Sequence, residues 1–197
     1  IIGLQKFVGQ QLNGRLISNI AENIRISAEA DTCEVSYRFP YFIQKLAPVS
    51  KEPGILPYHV CFTGIKEKDG FIFKLGVKVL ATSLCPCSKE ISKYGAHNQK
   101  ALIEIIVTVK ENEFIWIEDL IEIAEKSSSC EIYSVLKRID EAVVTENAYE
   151  NPKFVEDIAR SVYAKLSDID NIDKFKVIVE SDESIHVHNA VAIMTNY

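Results

Sequence analysis

Between residues 71 and 195 the hydrophobic period changes twice, and that switch constrains the fold more than any other feature of the chain. Residues 71–83 are rich in β-branched and aromatic side chains, and 101–110 carry a run of Ile and Val, so both predict strands. Ile117, Leu120, Ile121 and Ala124 then recur at helical spacing. Phe154, Ile158, Val162 and Leu166 do so again after Asn151-Pro152, a capping residue followed by proline for the first helical position. Residues 174–180 alternate in their centre and 188–195 hold the last apolar run, which closes the chain with two more strands.

This order of strand-strand-helix-helix-strand-strand has an imperfect echo upstream. Residues 1–8 read as a strand, Leu16, Ile20 and Ile24 as a helix, and 32–39 and 58–65 as strands, the former alternating through Cys33, Val35, Tyr37 and Phe39. The echo lacks one strand and one helix, so a segment is expected to be missing between Gln10 and Asn13. The opening at Ile1, without Met, likewise reads as the middle of a strand. The expected class is α+β: two similar modules, residues 1–69 and 70–197, each built on a four-stranded antiparallel sheet with helices on one face. Open sheets expose their edges, so side-by-side association into a larger barrel is expected.

Composition narrows the partners. A chain of 197 residues that is 47% hydrophobic buries a sizeable core, and 28 acidic against 22 basic residues, a net charge of -6, argue against nucleic acid as a bulk partner. No apolar run approaches the roughly 20 residues of a membrane helix, and no charged-then-apolar leader opens the chain, so no membrane partner is expected. Five cysteines at irregular spacing make no disulfide framework, and a reducing cytoplasm is the default location. Cys33 and Cys61, among strand formers, are expected in the core.

The chemistry concentrates between the two central strands, where a polar loop spanning 82–99 carries Cys85, Cys87 and His97. Thiolate and neutral imidazole suit borderline-soft cations such as zinc, and three protein ligands leave a position for a reactive water. Against this, an isolated Cys is commonly a small buried hydrophobe and an isolated His a hydrogen-bonded side chain. Cys85-Pro86-Cys87 is a Cys-x-Cys with no second pair to close a four-ligand structural site. Ligand, nucleophile and structural roles therefore stay open on the residues alone, and a third ligand must come from elsewhere.

The run Ser83-Leu84-Cys85-Pro86-Cys87-Ser88-Lys89-Glu90-Ile91-Ser92 through Ala96-His97-Asn98-Gln99 resembles the signature of type IB GTP cyclohydrolases. Three further stretches agree, in order: Leu136-Lys137-Arg138-Ile139-Asp140-Glu141; Val144-Thr145-Glu146-Asn147-Ala148-Tyr149 continuing to Asp157; and Glu183-Ser184-Ile185-His186-Val187-His188-Asn189-Ala190. Ile139 stands where that family often has Pro, and Lys100 where it often has Arg. The resemblance implies the tunnelling fold, a homotetramer with active sites at subunit interfaces, and conversion of GTP and water to 7,8-dihydroneopterin triphosphate and formate. One divalent metal per site, zinc, manganese or ferrous iron, is the implied cofactor.

Opening the imidazole ring of a purine requires a water at carbon 8, a proton donor to nitrogen 7 and an anchor for the guanine edge. The resemblance assigns Cys85, His97 and Glu141 as metal ligands, Glu141 by similarity alone. His186 and His188 occupy alternate positions, so in an extended segment both rings face one side, one to protonate the purine and one to position it. Glu156, early in the helix after Pro152, is on its position alone equally a helix-surface carboxylate, and the resemblance implies that it accepts paired hydrogen bonds from guanine. Cys87 is a supporting or catalytic thiol, and Lys89, Lys100, Lys137 and Arg138 are the basic residues available to the triphosphate. His59, outside every matched stretch, is expected to be structural. The competing readings are an archaeal-type cyclohydrolase releasing a cyclic phosphate, a nitrile reductase of the same fold with Cys85 or Cys87 as nucleophile, and a non-catalytic structural-metal module.

Overall fold

The computed structural model describes residues 2–197. Its spine is one antiparallel sheet in the order β1-β2-β3-β4-β6-β7, formed by Thr32–Leu46, Pro53–Glu67, Phe71–Leu84, Asn98–Val109, Ile172–Ser181 and Ala190–Thr195. A two-residue strand β5, Cys130–Glu131, adds to β3 at Ala81 and Thr82. The sheet runs unbroken across the expected boundary at residue 69, because β2 pairs with β3 from His59↔Lys78 to Lys66↔Phe71.

Strand phase decides which face is covered. In β3 and β4 the odd-numbered residues Leu75, Val77, Val79, Ala101, Ile103, Ile105 and Val107 point to one side and are at most 2% exposed. On that side lie α3, Ile117–Ser127, and α5, Val155–Ser167, which bury Leu120, Ile121 and Ala124, and Ile158, Ala159, Val162 and Leu166 against the strands. Each fully buried Ile or Leu of such a stripe contributes about 1.5–3 kcal/mol. The helix α1, Gly14–Ser27, covers β1 and β2 through Leu16, Ile17 and Ala21, and starts where Asn13 Oδ1 accepts the Leu16 N–H at 2.9 Å.

Among the described residues the other face carries no helix. There a cavity of about 650 Å³ is lined by Arg38, His59, Cys61, Lys74, Lys78 and Glu104 among others. Two expectations are corrected by this phase. Cys61 alternates with the buried Val60 and Phe62, so it lies on the bare face and its sulfur sits 3.6 Å from Thr63 Oγ1; Cys33 is likewise half-buried rather than core. His59 is exposed and lines the same cavity instead of packing structurally.

Several elements depart from expectation. Ile2–Phe7 forms a 3-10 helix, not a strand, since its backbone bonds close locally through Val8 N–H to Gln5 O and Gln10 N–H to Phe7 O; Ile1, where the expected strand began, lies outside the described residues. The hairpin strands β1 and β2 are much longer than the alternating cores that betrayed them, in register from Thr32↔Glu67 to Leu46↔Pro53. Pro40 sits on the edge strand and Pro57 where β2 has run past β3, positions a sheet tolerates. A further helix, α4, Arg138–Glu150, shows no apolar stripe because it buries only Asp140 and Ala148. Proline 152 does not open α5: Lys153 first pairs with Leu84 as an isolated bridge, and the helix begins at Val155.

Candidate active site

The loop singled out in the sequence leaves the C-terminal end of β3 and returns at the start of β4. Its middle is the short helix α2, Pro86–Ile91, with Cys85 as the capping residue. The base is closed by Cys85 N–H to His97 O at 3.2 Å, so the two side chains most suited to a metal stand on paired backbone. Ser88 fastens both: its N–H meets Cys85 Sγ at 3.4 Å, its hydroxyl donates to Cys85 O at 3.1 Å, and it accepts the His97 N–H at 3.2 Å.

His97 is oriented from behind. Its Nδ1 lies 2.8 Å from Oε1 of Gln99, a residue only 8% exposed, and 3.3 Å from Ser184 Oγ. With the Gln99 amide oxygen toward the ring, Nδ1 carries the proton and Nε2 keeps its lone pair, the tautomer a metal-binding imidazole uses. Gln99 is itself held by Glu183 Oε1 at 3.3 Å. Through Ser184 and Glu183 the loop 182–189 reaches the Cys85 loop, and Asp182 N–H bonds Lys100 O at 2.9 Å. That loop carries His186 and His188, whose rings stack at 5.2 Å with 22° between planes. They share a side as expected, although on a bend, since β7 starts only at Ala190.

Glu141 is separate. It stands exposed at the start of α4, and among the described residues no three His, Cys, Asp or Glu side chains gather closely enough to hold a metal. Its neighbour Asp140 is instead the buried acid: Oδ1 accepts the Val49 and Ser50 N–H groups at 2.9 and 2.8 Å, and Oδ2 accepts Ser50 Oγ at 2.6 Å and the Lys137 N–H at 2.9 Å. Burial pushes this carboxyl up, but the hydrogen bonds from Ser50, Lys137 and Val49 outweigh it and hold the acid well below the usual carboxylate range.

Glu156 occupies the first turn of α5 and is exposed, free to meet a ligand. The basic residues do not converge. Lys89 donates to Tyr149 O and lies 4.2 Å over the Tyr149 ring, tying α2 to α4, and Lys137 pairs with Glu52. Lys100 and Arg138 are exposed on β4 and α4, and Cys87 is exposed on α2. The sequence reading missed the serines that knit this end of the sheet together: Ser83, Ser127, Ser128 and Ser129 are at most 3% exposed. Their one sequence signal is a run of three consecutive serines directly after an amphipathic helix, a place where exposed polar residues are ordinary.

The family described as type I GTP cyclohydrolase FolE2 matches residues 3–192. A GTP cyclohydrolase FolE2 of Thermotoga neapolitana is 47% identical over 184 residues, covering 93% of this chain and 70% of that protein. One from Thermotoga maritima is 49% identical over 178 residues, covering 90% and 68%, and one from Nitrosomonas eutropha is 50% identical over 167 residues, covering 84% and 62%. Among solved structures, the uricase of Arthrobacter globiformis superposes with a TM-score of 0.57 at 9% identity, over 98% of this chain and 73% of the uricase, a likeness of fold alone.

Proposed function

Since the chain belongs to the type I GTP cyclohydrolase FolE2 family, we propose that it hydrolyses GTP to 7,8-dihydroneopterin triphosphate and formate, the first step toward folate-type pterins. The observation that carries the reading is the oriented pair at the end of β3 and β4, Cys85 on a backbone shared with His97, whose Nδ1 is tied to Gln99. Thiolate and neutral imidazole fit a borderline-soft divalent cation, zinc, manganese or ferrous iron, and Glu141 is the proposed third donor. When bound, such a cation supplies the Lewis acidity that makes water a nucleophile near neutral pH.

The remaining steps belong to side chains. Glu156 accepts the N–H and amino hydrogens of the guanine edge and so places carbon 8 of the purine over the Cys85 loop. The stacked His186 and His188 stand on the loop that Ser184 fastens to His97, where one imidazolium donates a proton to nitrogen 7 as the ring opens and the other holds the base in position. Lys100 and Arg138, exposed and without an ion-pair partner among the described residues, are the basic side chains proposed for the triphosphate, joined by Lys89 and Lys137 if these release Tyr149 and Glu52. The two uncovered sheet edges fit a homotetramer with shared sites, and five free cysteines fit a reducing cytoplasm. Among the described residues no helix is long and apolar enough to cross a membrane.

The test is anaerobic incubation of metal-free protein with GTP and each of the three cations, following formate and identifying the pterin by mass. Metal-dependent formate with the triphosphate retained is the expected result, and Cys85→Ala should lower it by about a hundredfold or more while the fold persists. Full turnover in that variant would overturn the site.

A further inference from the structure

Resting on that reading of Cys85 and Glu156, we propose that the buried hydroxyl of Ser129 is a positioning residue that locks the thiol arm of the site to the arm carrying the guanine anchor. The two arms come from distant parts of the chain. Leu84 directly precedes Cys85, and Lys153 lies three residues before Glu156. They face each other as an isolated antiparallel bridge. Ser129 Oγ, on a residue 3% exposed, accepts the Leu84 N–H at 3.1 Å and the Lys153 N–H at 3.0 Å, and points its own proton toward Lys153 O at 3.4 Å. Both lone pairs and the proton of the hydroxyl are thus committed to the two arms.

The direction of Leu84 explains why a side chain is needed. Cys85 N–H bonds the O of His97, which directly precedes β4, and hydrogen-bonding directions alternate along an antiparallel strand, so the Leu84 N–H faces away from β4. Ser129 meets it there. Its own backbone is fixed as well, N–H to Thr82 O at 2.9 Å and O to Asn151 Nδ2 at 3.1 Å, which leaves the hydroxyl little freedom to follow either arm if one shifts. Removing it strands two amides at once, the buried one beside the proposed ligand and a half-buried one leading into the anchor helix. Ser83 does not duplicate this role, because its hydroxyl bonds only Lys153 O.

The experiment measures GTP, ATP and zinc binding to the full chain, the nucleotides on metal-free protein by calorimetry and zinc by competition with a chelator. Ser129→Cys keeps the side-chain volume while replacing the oxygen with a poor acceptor, and it is run beside Ser129→Ala so that a failure of the smaller residue to fold does not end the test. Both variants should bind GTP about tenfold more weakly, leave the weaker ATP binding unchanged, and bind zinc about tenfold more weakly. Equal losses for GTP and ATP would mean general loosening and overturn the lock, as would unchanged zinc affinity, which would leave Ser129 holding the anchor arm alone. Glu156→Gln separates the two failures: it must abolish the preference for GTP over ATP, and if it does not, the anchor reading falls and the lock with it.

Discussion

Single side chains set the most accessible tests. Gln99 meets the proposed ligand His97 only at Nδ1, the nitrogen turned away from the metal, so Gln99→Leu should leave folding intact and weaken metal affinity by about ten- to a hundredfold, read by chelator competition. Unchanged affinity would mean that the tautomer is fixed elsewhere. A second polar cluster, built around Lys45, governs alkaline stability. Tyr58 OH donates to Glu125 Oε1 at 2.7 Å, Lys45 Nζ lies 2.9 Å from the same carboxylate and 2.5 Å from Glu131, and Tyr133 packs under that ammonium. Burial pushes the Tyr58 phenol up, reinforced by its bond to Glu125, and burial followed by the charge of Glu131 does the same for Tyr133. A phenol whose pKa is raised on folding stabilises the native state below its unfolded value. Stability should therefore hold to about pH 10 and decline above it, as the unfolded chain loses protons that the folded one retains. Urea melts at pH 8 and 11 should show the decline, and Tyr58→Phe should cost about 1 kcal/mol at pH 8 and shrink the difference between the two. Asp140 lay inside a matched motif without a role, because a carboxylate one position from a proposed ligand looks the same in sequence whether it binds a cation or, as here, receives three hydrogen bonds from a turn about ninety residues away and a fourth from the Lys137 N–H.

Secondary elements were legible where one face repeats and hidden where none does. The strand pair β3 and β4 and the helices α3 and α5 have regular buried positions, and all four were readable from spacing. Helix α4 is bound by its ends, Asp140 at one and Tyr149 at the other, so no hydrophobic period announces it. The Cys85 loop was readable as chemistry because three metal-ligating side chains, Cys85, Cys87 and His97, lie within it. Its connection to α5 was not, since the Leu84↔Lys153 bridge joins backbone to backbone and leaves no side-chain pattern. Element packing gives its own prediction at Gly64, where α1 lies against β2. A Cβ there would come within 2.5 Å of Ile17 Cγ2 and 2.8 Å of Phe71 Cε2. Ile17 is fully buried and cannot retreat, so Gly64→Ala should destabilise by about 1–3 kcal/mol in urea melts without changing the far end of the sheet where Cys85 and His97 stand. A neutral outcome would show that α1 is free to slide along the hairpin.

At the scale of the molecule, the open question is what covers the sheet's margins. Strand β1 presents its outer edge over Thr32–Leu46, with Tyr37, Phe42 and Leu46 more than half exposed, and β7 ends the opposite side with Val191 and Ile193 similarly bare. A long apolar edge of this kind pairs with another chain unless something blunts it, and among the described residues no strand pairs with the outer edge of β1. Pairing of copies through these edges would extend the antiparallel ladder and cover the apolar rims of the bare face, while the charged centre around Arg38, Lys74, Lys78 and Glu104 would remain open to water. If the proposed homotetramer forms, sedimentation equilibrium should give four times the 22.2 kDa of the chain. Replacing both Val191 and Ile193 by Lys puts two charges beside the β7 edge, and the product should sediment as a monomer with the circular dichroism of the parent. If the sites are shared between copies, that monomer should also lose formate release, although Cys85, His97, Gln99 and Ser129 are untouched. A monomeric parent that turns over GTP would place the complete site within one chain, and Glu141 would then have to reach Cys85 and His97 by movement of α4, an arrangement that Lys89 on Tyr149 and Asp140 on Ser50 both oppose.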